Sequence, residues 1–277
     1  MPGLRCLLTL LFLLAAFPVS AETDFHFEGA FRQGGLVTGK APLGTTLRFE
    51  GKPLRLSRQG DFVIAFGRNA KPEAVLAYRL ADGSEGVRRL AIAKGDFSVE
   101  RIDGLAPDKV SPNAANLARI RKEGAELAKI RRGDRDEALF ANGFAWPVRG
   151  RISGVYGSQR ILNGTARSPH AGTDIAAAKG TPVRAPADAV VVYRRSDLFF
   201  TGQTLVLDHG HGVFSIYAHL DRIDVAEGAR VAKGEPIAAI GASGRATAPH
   251  LHWGISWFGI PVDPELVAGE MPKPKAP

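Results

Sequence analysis

Beyond Trp146 no stretch of this chain is long and periodic enough to form a crossover helix, and that rules out a sheet built from parallel βαβ units. The chain there consists instead of short apolar runs: Ile152–Tyr156, Ala189–Arg195, Thr204–Asp208, Val213–Tyr217, Pro236–Ile240 and Leu251–Trp257. Consecutive strands joined by short turns pair antiparallel. The 32 glycines and 18 prolines fit the same turn-rich β architecture. Upstream, Phe25-His26-Phe27, Leu47-Arg48-Phe49, Phe62-Val63-Ile64, Val75–Leu80 and Arg89–Ile92 alternate or run apolar between Gly- and Asp-containing turns. The expected fold is mainly β. An antiparallel β-sheet domain at 144–266 is preceded by a small β-sandwich-like module at 22–110 and a helical linker at 111–143.

The linker is read from Leu117, Ile120, Leu127 and Ile130, which fall at helical spacing between Pro112 and Arg132. Ser111-Pro112 reads as its cap and first turn. Arg119, Arg121, Lys122, Glu123, Glu126 and Lys129 leave only a narrow apolar face, which favours a surface helix joining two domains. No upstream segment is singled out as one that must cover a site.

The two ends have their own character. Residues 1–21 read as an export signal: a basic start, an apolar run from Cys6 to Phe17, and Val19-Ser20-Ala21 as the cleavage site. Cys6 is the only cysteine, so cleavage there leaves a chain without disulfides, stabilised by its core or a metal. Residues 267–277, rich in proline and lysine, read as a disordered tail. The formal charge is +8, but no basic strip interleaved with aromatics is present, so nucleic acid is not expected as a partner. For an exported basic chain, contact with a membrane surface or an anionic envelope polymer is the alternative to plain surface solvation.

The chemistry is concentrated in histidines. In an extended strand His250 and His252 share a face, while Leu251 points to the other. His170 is followed four residues later by Asp174, and Gly172-Thr173 between them argues against a helix. His219 ends the run Val213–Ala218. A catalytic zinc site takes three protein ligands, typically imidazole and carboxylate, and keeps one open position. His170 and Asp174 can both face one metal from a bent strand. His250 and His252 can both bind, or one can bind while the other acts on substrate. There is no His-Glu-x-x-His helix pair and no Gly-x-Ser-x-Gly elbow, and no cysteine survives for thiolate chemistry.

Together, His170-x-Gly172-x-Asp174-Ile175, Tyr217-Ala218-His219-Leu220 and Pro249-His250-Leu251-His252-Trp253 resemble the three signatures of the lysostaphin/LytM-type zinc metallopeptidase family. Gly180-Thr181-Pro182-Val183, Asp208-His209-Gly210 and Ile240-Gly241-x-Ser243-Gly244 are similar to its supporting runs. The resemblance covers roughly 146–264 and implies the duplicated hybrid motif fold. It implies one zinc ion held by His170, Asp174 and His252, with His219 and His250 as unmetallated catalytic residues. It further implies hydrolysis of peptidoglycan peptides, crosslinks or stems, in the periplasm or envelope of a Gram-negative-type bacterium. His209 sits at a family His-Gly position, supporting the ligands rather than joining them, and Asn163 is placed along the substrate groove. One departure stands out: Thr247-Ala248-Pro249 replaces the family's Thr-Gly-Pro, which Ala248 tolerates if its φ is negative. The alternative is a catalytically inactive relative that activates an amidase or binds the wall.

Overall fold

The computed structural model describes residues 25–272. The export signal at 1–21 and the last tail residues, 273–277, lie outside the described residues. The upstream module contains β1 (His26–Gly29), β2 (Leu36–Lys40), β3 (Thr46–Phe49), β4 (Lys52–Leu54), β5 (Asp61–Ala65), β6 (Glu73–Arg79), β7 (Glu85–Ala91) and β8 (Val99–Ile102). Strands β1-β2-β5 form one sheet and β4-β3-β6-β7 another. Alternation explains the pairing of faces: Leu47 and Phe49 of β3 are buried while Thr46 and Arg48 are exposed. Phe62, Ile64 and Leu76 fill the space between the sheets with no exposed surface.

β8 departs from the expected antiparallel scheme. It leaves the module and pairs parallel with β10 (Gln159–Leu162), Glu100 lying opposite Arg160. The connection between them holds two helices, α1 (Pro107–Val110) and α2 (Ala114–Ile130), together with β9 (Arg151–Gly154). That is long enough for a parallel return. The linker helix also starts later than expected. Asn113, not Ser111, is its cap: Asn113 is extended and its side chain accepts the Asn116 N–H at 2.9 Å. Leu127 and Ile130 pack on Tyr193, Leu198, Val206 and Phe214 of the large sheet.

The remaining strands are β11 (Thr165–Ala166), β12 (Thr173–Ala176), β13 (Pro182–Arg184), β14 (Ala189–Leu198), β15 (Gly202–Asp208), β16 (Val213–Ile223), β17 (Arg230–Val231), β18 (Pro236–Ile240), β19 (His250–Trp257) and β20 (Ile260–Val262), before the short α3 (Pro264–Ala268). Among the described residues, ten strands make one antiparallel sheet with the central order β17-β14-β15-β16-β19-β12-β9. β13, β18 and β20 attach to it at the side. The apolar core runs on from this sheet into the upstream module: the Phe49 and Trp257 rings lie 5.8 Å apart, and the Asp263 N–H bonds the Gly34 carbonyl at 2.7 Å. Val267, Ala268 and Met271, read from sequence as tail, pack against this core, and Trp146 Nε1 donates to the Gly269 carbonyl. An ordered chain therefore reaches at least Met271, because these apolar side chains have a surface to cover.

The cap makes a direct test. Asn113→Ala is expected to lower the unfolding free energy by about 1 kcal/mol in urea titrations, whereas Ser111→Ala leaves it unchanged. A larger loss from Ser111→Ala than from Asn113→Ala would place the helix start two residues earlier.

Candidate functional site

β12 and β19 set the centre of the site. Asp174 is paired directly with His252, and Ile175 with Leu251. Ile175 and Leu251 are fully buried in the core, so the register turns Asp174 and His252 to the opposite face. His170 approaches from the loop before β12, its backbone N–H bonded to the Ser158 carbonyl at 2.9 Å. Gly172 makes the approach close: a Cβ there would lie 2.4 Å from the Trp253 carbonyl oxygen and 3.0 Å from His252 Cε1.

Three donor atoms meet as a result. His170 Nε2 lies 3.0 Å from His252 Nδ1, His252 Nδ1 lies 2.9 Å from Asp174 Oδ1, and His170 Nε2 lies 3.1 Å from Asp174 Oδ1. His170 Nδ1 donates to the Val155 carbonyl at 3.0 Å, which leaves its Nε2 as a bare lone pair. Three acceptors with at most one proton among them need a cation. A tetrahedral ion with bonds of about 2.0–2.1 Å sets its ligands about 3.3 Å apart, so the nitrogen, nitrogen, oxygen set fits zinc in both size and chemistry. His170 and Asp174 are buried and His252 half-buried. Burial opposes the Asp174 charge, but its contacts with the His170 and His252 rings outweigh it and hold the carboxyl well below the usual range. Burial pulls His252 below its ordinary value, against the opposing pull of Asp174.

His219 and His250 stand beside this triangle. Sequence put His219 at the end of a strand, but β16 runs on to Ile223. Ala218 pairs with His252, so strict alternation would send His219 to the far face. Instead His219 has φ 62°, and the pairing of β16 with β15 and β18 shifts register around it. This bulge swings the side chain back to the metal-donor face, where its ring centre is 4.6 Å from that of His250. His219 Nδ1 donates to the Ser243 carbonyl at 2.8 Å, and His250 Nδ1 to the Ala248 carbonyl at 2.9 Å. Each ring is thereby left with a bare Nε2, and that of His250 lies 4.0 Å from Asp174 Oδ1. Burial, then repulsion from His250 and His252, pushes His219 down to about 3, so it is neutral at neutral pH. Ala248 is not among the residues with positive φ, so the alanine in place of glycine carries no backbone strain.

Two cavities of about 260 and 400 Å³ flank these residues and share Arg160, Leu162, His219 and Arg245 in their walls. The smaller opens on Asp174 and His250, the larger on His170 and His252. The sequence did not show that the chain upstream of the large sheet forms walls of both: Ile102 and Leu105 line one, Val110, Leu117 and Ile120 the other. α1 is pinned there by Arg167, which donates to the Val110 carbonyl, and by Lys109, whose Nζ donates to the Phe199 carbonyl at 3.0 Å. Arg160 is the other group that sequence reasoning missed. Its Nη2 donates to Asp174 Oδ2 at 2.5 Å, and a lone Arg between Gln159 and Ile161 carries no spacing signal.

Two expected site residues lie elsewhere. The Asn163 side chain accepts the Leu105 N–H and donates to the Leu105 carbonyl, and Asn163 lines neither cavity. It therefore fastens the β8–α1 connection rather than a substrate. His209 is fully buried and touches none of the three donors: Nδ1 donates to the Asp188 carbonyl at 2.8 Å, and Nε2 accepts from Ser215 Oγ at 2.7 Å. Ser215 Oγ in turn meets the Tyr217 hydroxyl at 2.8 Å, beneath the sheet.

Residues 168–264 match Peptidase family M23. The chain is 42% identical over 106 residues to the DD-carboxypeptidase/endopeptidase Mpg of Neisseria meningitidis serogroup B, covering 38% of this chain and 24% of that protein. It is 40% identical over 186 residues to the peptidoglycan DD-endopeptidase ShyA of Vibrio cholerae serotype O1, covering 62% of this chain and 42% of that protein. The matched stretches thus span from a quarter to under half of these relatives' lengths. Its fold is similar to the crystal structure of an M23 peptidase candidate from Pseudomonas aeruginosa. That match has TM-score 0.67 and 28% identity, and covers 86% of this chain and 95% of that one.

His209 yields a pH test away from the metal donors. Burial pushes it down to about 4 from 6.5. As pH falls, the unfolded chain takes up this proton first, so stability is lost from about pH 6.5 down toward pH 4. His209→Gln, which keeps a partner for Ser215, is expected to shrink the stability difference between about pH 7.5 and pH 5 by on the order of 2 kcal/mol. An unaltered acid slope in urea unfolding would count against a neutral buried imidazole.

Proposed function

Residues 168–264 belong to peptidase family M23, the lysostaphin/LytM type, and on that premise we propose that this protein is an exported zinc metalloendopeptidase acting on peptidoglycan peptides. One observation carries the reading: three proton-poor donors about 3 Å apart stand beside the His219 and His250 imidazoles, each tied through Nδ1 to a backbone carbonyl and lining the cavities. His170, Asp174 and His252 hold the metal through Nε2, Oδ1 and Nδ1. When bound, zinc supplies Lewis acidity that polarises a carbonyl and acidifies water.

The chain's own residues do the rest. His219 and His250 face the scissile peptide with Nε2 unprotonated, because each Nδ1–H is committed to a backbone carbonyl. Either nitrogen can take the proton of the attacking water and return it to the leaving amine. With the rings 4.6 Å apart, both imidazoles reach the same reacting bond. Val155, Ser243 and Ala248 fix the tautomers by accepting from the ring N–H groups. The cavity walls from Ile102 to Ile120 limit water around the reacting bond. The named activities of Mpg and ShyA support a peptidoglycan substrate, and the periplasm or envelope is where that substrate lies. No helix among the described residues is long and apolar enough to cross a membrane. An inactive amidase activator or wall-binding module has no need of all five side chains, and all five are present.

The full chain is expected to bind about one zinc and to release defined fragments from crosslinked muropeptides, identified by chromatography and mass spectrometry. His252→Ala is expected to lose metal and turnover together. His250→Ala should keep most of the metal and lose about 100-fold or more in turnover. Stoichiometric zinc without any muropeptide cleavage would instead favour the inactive relative, and equal metal loss in both variants would reverse the assignment of the pair.

A further inference from the structure

Glu100 stands on β8, upstream of the stretch that matches the peptidase family, yet it is wired to two of the three metal donors. One of its oxygens, Oε2, accepts from Arg160 Nε at 3.3 Å, and Arg160 Nη2 donates to Asp174 Oδ2. The other, Oε1, accepts the Val155 N–H at 2.9 Å, and the carbonyl of the same Val155 accepts from His170 Nδ1. The loop of contacts is therefore closed: Asp174, Arg160, Glu100, Val155, His170. The parallel register of β8 on β10 puts Glu100 directly opposite Arg160. Gly154 leaves room for the arrangement, since a Cβ there would sit 2.6 Å from Asp174 Oδ2 and 2.8 Å from Arg160 Nη2.

The geometry points to Glu100 as a positioning residue for the metal site, supplied by the upstream region to the peptidase domain. Two physical effects make it so. Arg160 occupies Oδ2 of Asp174 and so presents Oδ1 to His170 and His252, and Glu100 holds that guanidinium in place. Arg160 alone would also cancel the Asp174 charge next to a dication, while Glu100 restores one net negative charge. The side chains of Arg160 and Glu100 are only 16% and 20% exposed, so water screens this charge weakly. The inference rests on the reading that His170, Asp174 and His252 bind zinc.

The test is zinc affinity of the full chain, measured by competition with a chromophoric chelator, with the absorption spectrum of the cobalt-loaded protein as a second readout. Glu100→Gln keeps an acceptor for Val155 and removes the charge. It is expected to weaken zinc binding by about 10- to 100-fold and to alter the cobalt spectrum. Glu73→Gln, which removes an equal charge from the distant Glu73–Arg89 pair, leaves both unchanged. In an Arg160→Gln background the Glu100→Gln penalty should fall well below its value in the parent, because the positioning relay is already cut and only the charge effect remains. A merely structural role for β8 would impose the same penalty in both backgrounds. That result, or a single Glu100→Gln variant within about twofold of the parent, overturns the inference. A parent chain that fails to bind zinc removes the metal reading beneath it, so the two failures are told apart in one titration series.

Discussion

Everything at this site depends on the pairing of Asp174 with His252 across β12 and β19. Two acceptor atoms held 2.9 Å apart, with a third brought to both by His170, repel one another unless a cation or a shared proton lies between them. The sheet can impose that arrangement because the neighbouring pair, Ile175 and Leu251, is locked in the core with no exposed surface. A slip of one residue would send both donors inward and both apolar side chains out, an exchange the core would resist strongly. Core packing therefore provides the rigidity, and the metal-donor geometry is its by-product on the other face.

The parts of the site that obey strand alternation were legible in the sequence. His250 and His252 flanking Leu251 follow from a period of two, whereas Asp174 was placed only on a bent strand until its pairing with His252 fixed its face. The longer strands of the large sheet were also visible as Val/Ile-rich runs, whereas the short β12, β13, β17 and β20 were not. His219 was visible as a residue but not as a geometry, since its place on the metal-donor face depends on a left-handed residue and a register shift in mid-strand. Ser111-Pro112 read as the cap, but the helix is capped by Asn113, whose extended backbone lets its side chain accept the Asn116 N–H. Asn163 seemed poised for substrate on the strength of its position before His170, yet its amide oxygen and nitrogen both bond the backbone of Leu105.

Backbone groups explain most of the geometry that the sequence concealed. The carbonyls of Val155, Ser243 and Ala248 set which nitrogen of His170, His219 and His250 is bare, and any residue type supplies a carbonyl. His209 shows the converse. It stands in a motif beside the site, and its complete hydrogen bonding to Asp188 and Ser215 commits it to the core. Spacing thus identified which side chains are chemically able to act, and the tautomers were settled by a main chain that leaves no trace in composition.

The upstream region bears on this site in electrostatic as well as steric terms. Arg160, Arg167 and Arg245 surround the cavities. Burial, followed by repulsion from Arg160 and Arg167, lowers the affinity of Arg245 for its proton. A cluster of guanidiniums beside a cation-binding triangle is unfavourable unless its charge is answered. The upstream region answers it in two ways: carbonyls of Lys109 and Val110 accept from Arg245 and Arg167, and the Glu100 carboxylate pairs with Arg160. Carbonyl dipoles can be exchanged for water or for an anionic ligand at little cost, whereas a carboxylate buried against an arginine cannot leave without exposing a charge. The same upstream segment thus makes one replaceable contact with the groove and one permanent contact with the metal donors. That division matches how the two are held: β8 by backbone pairing with β10, α1 by side-chain bonds through Lys109 and Arg167.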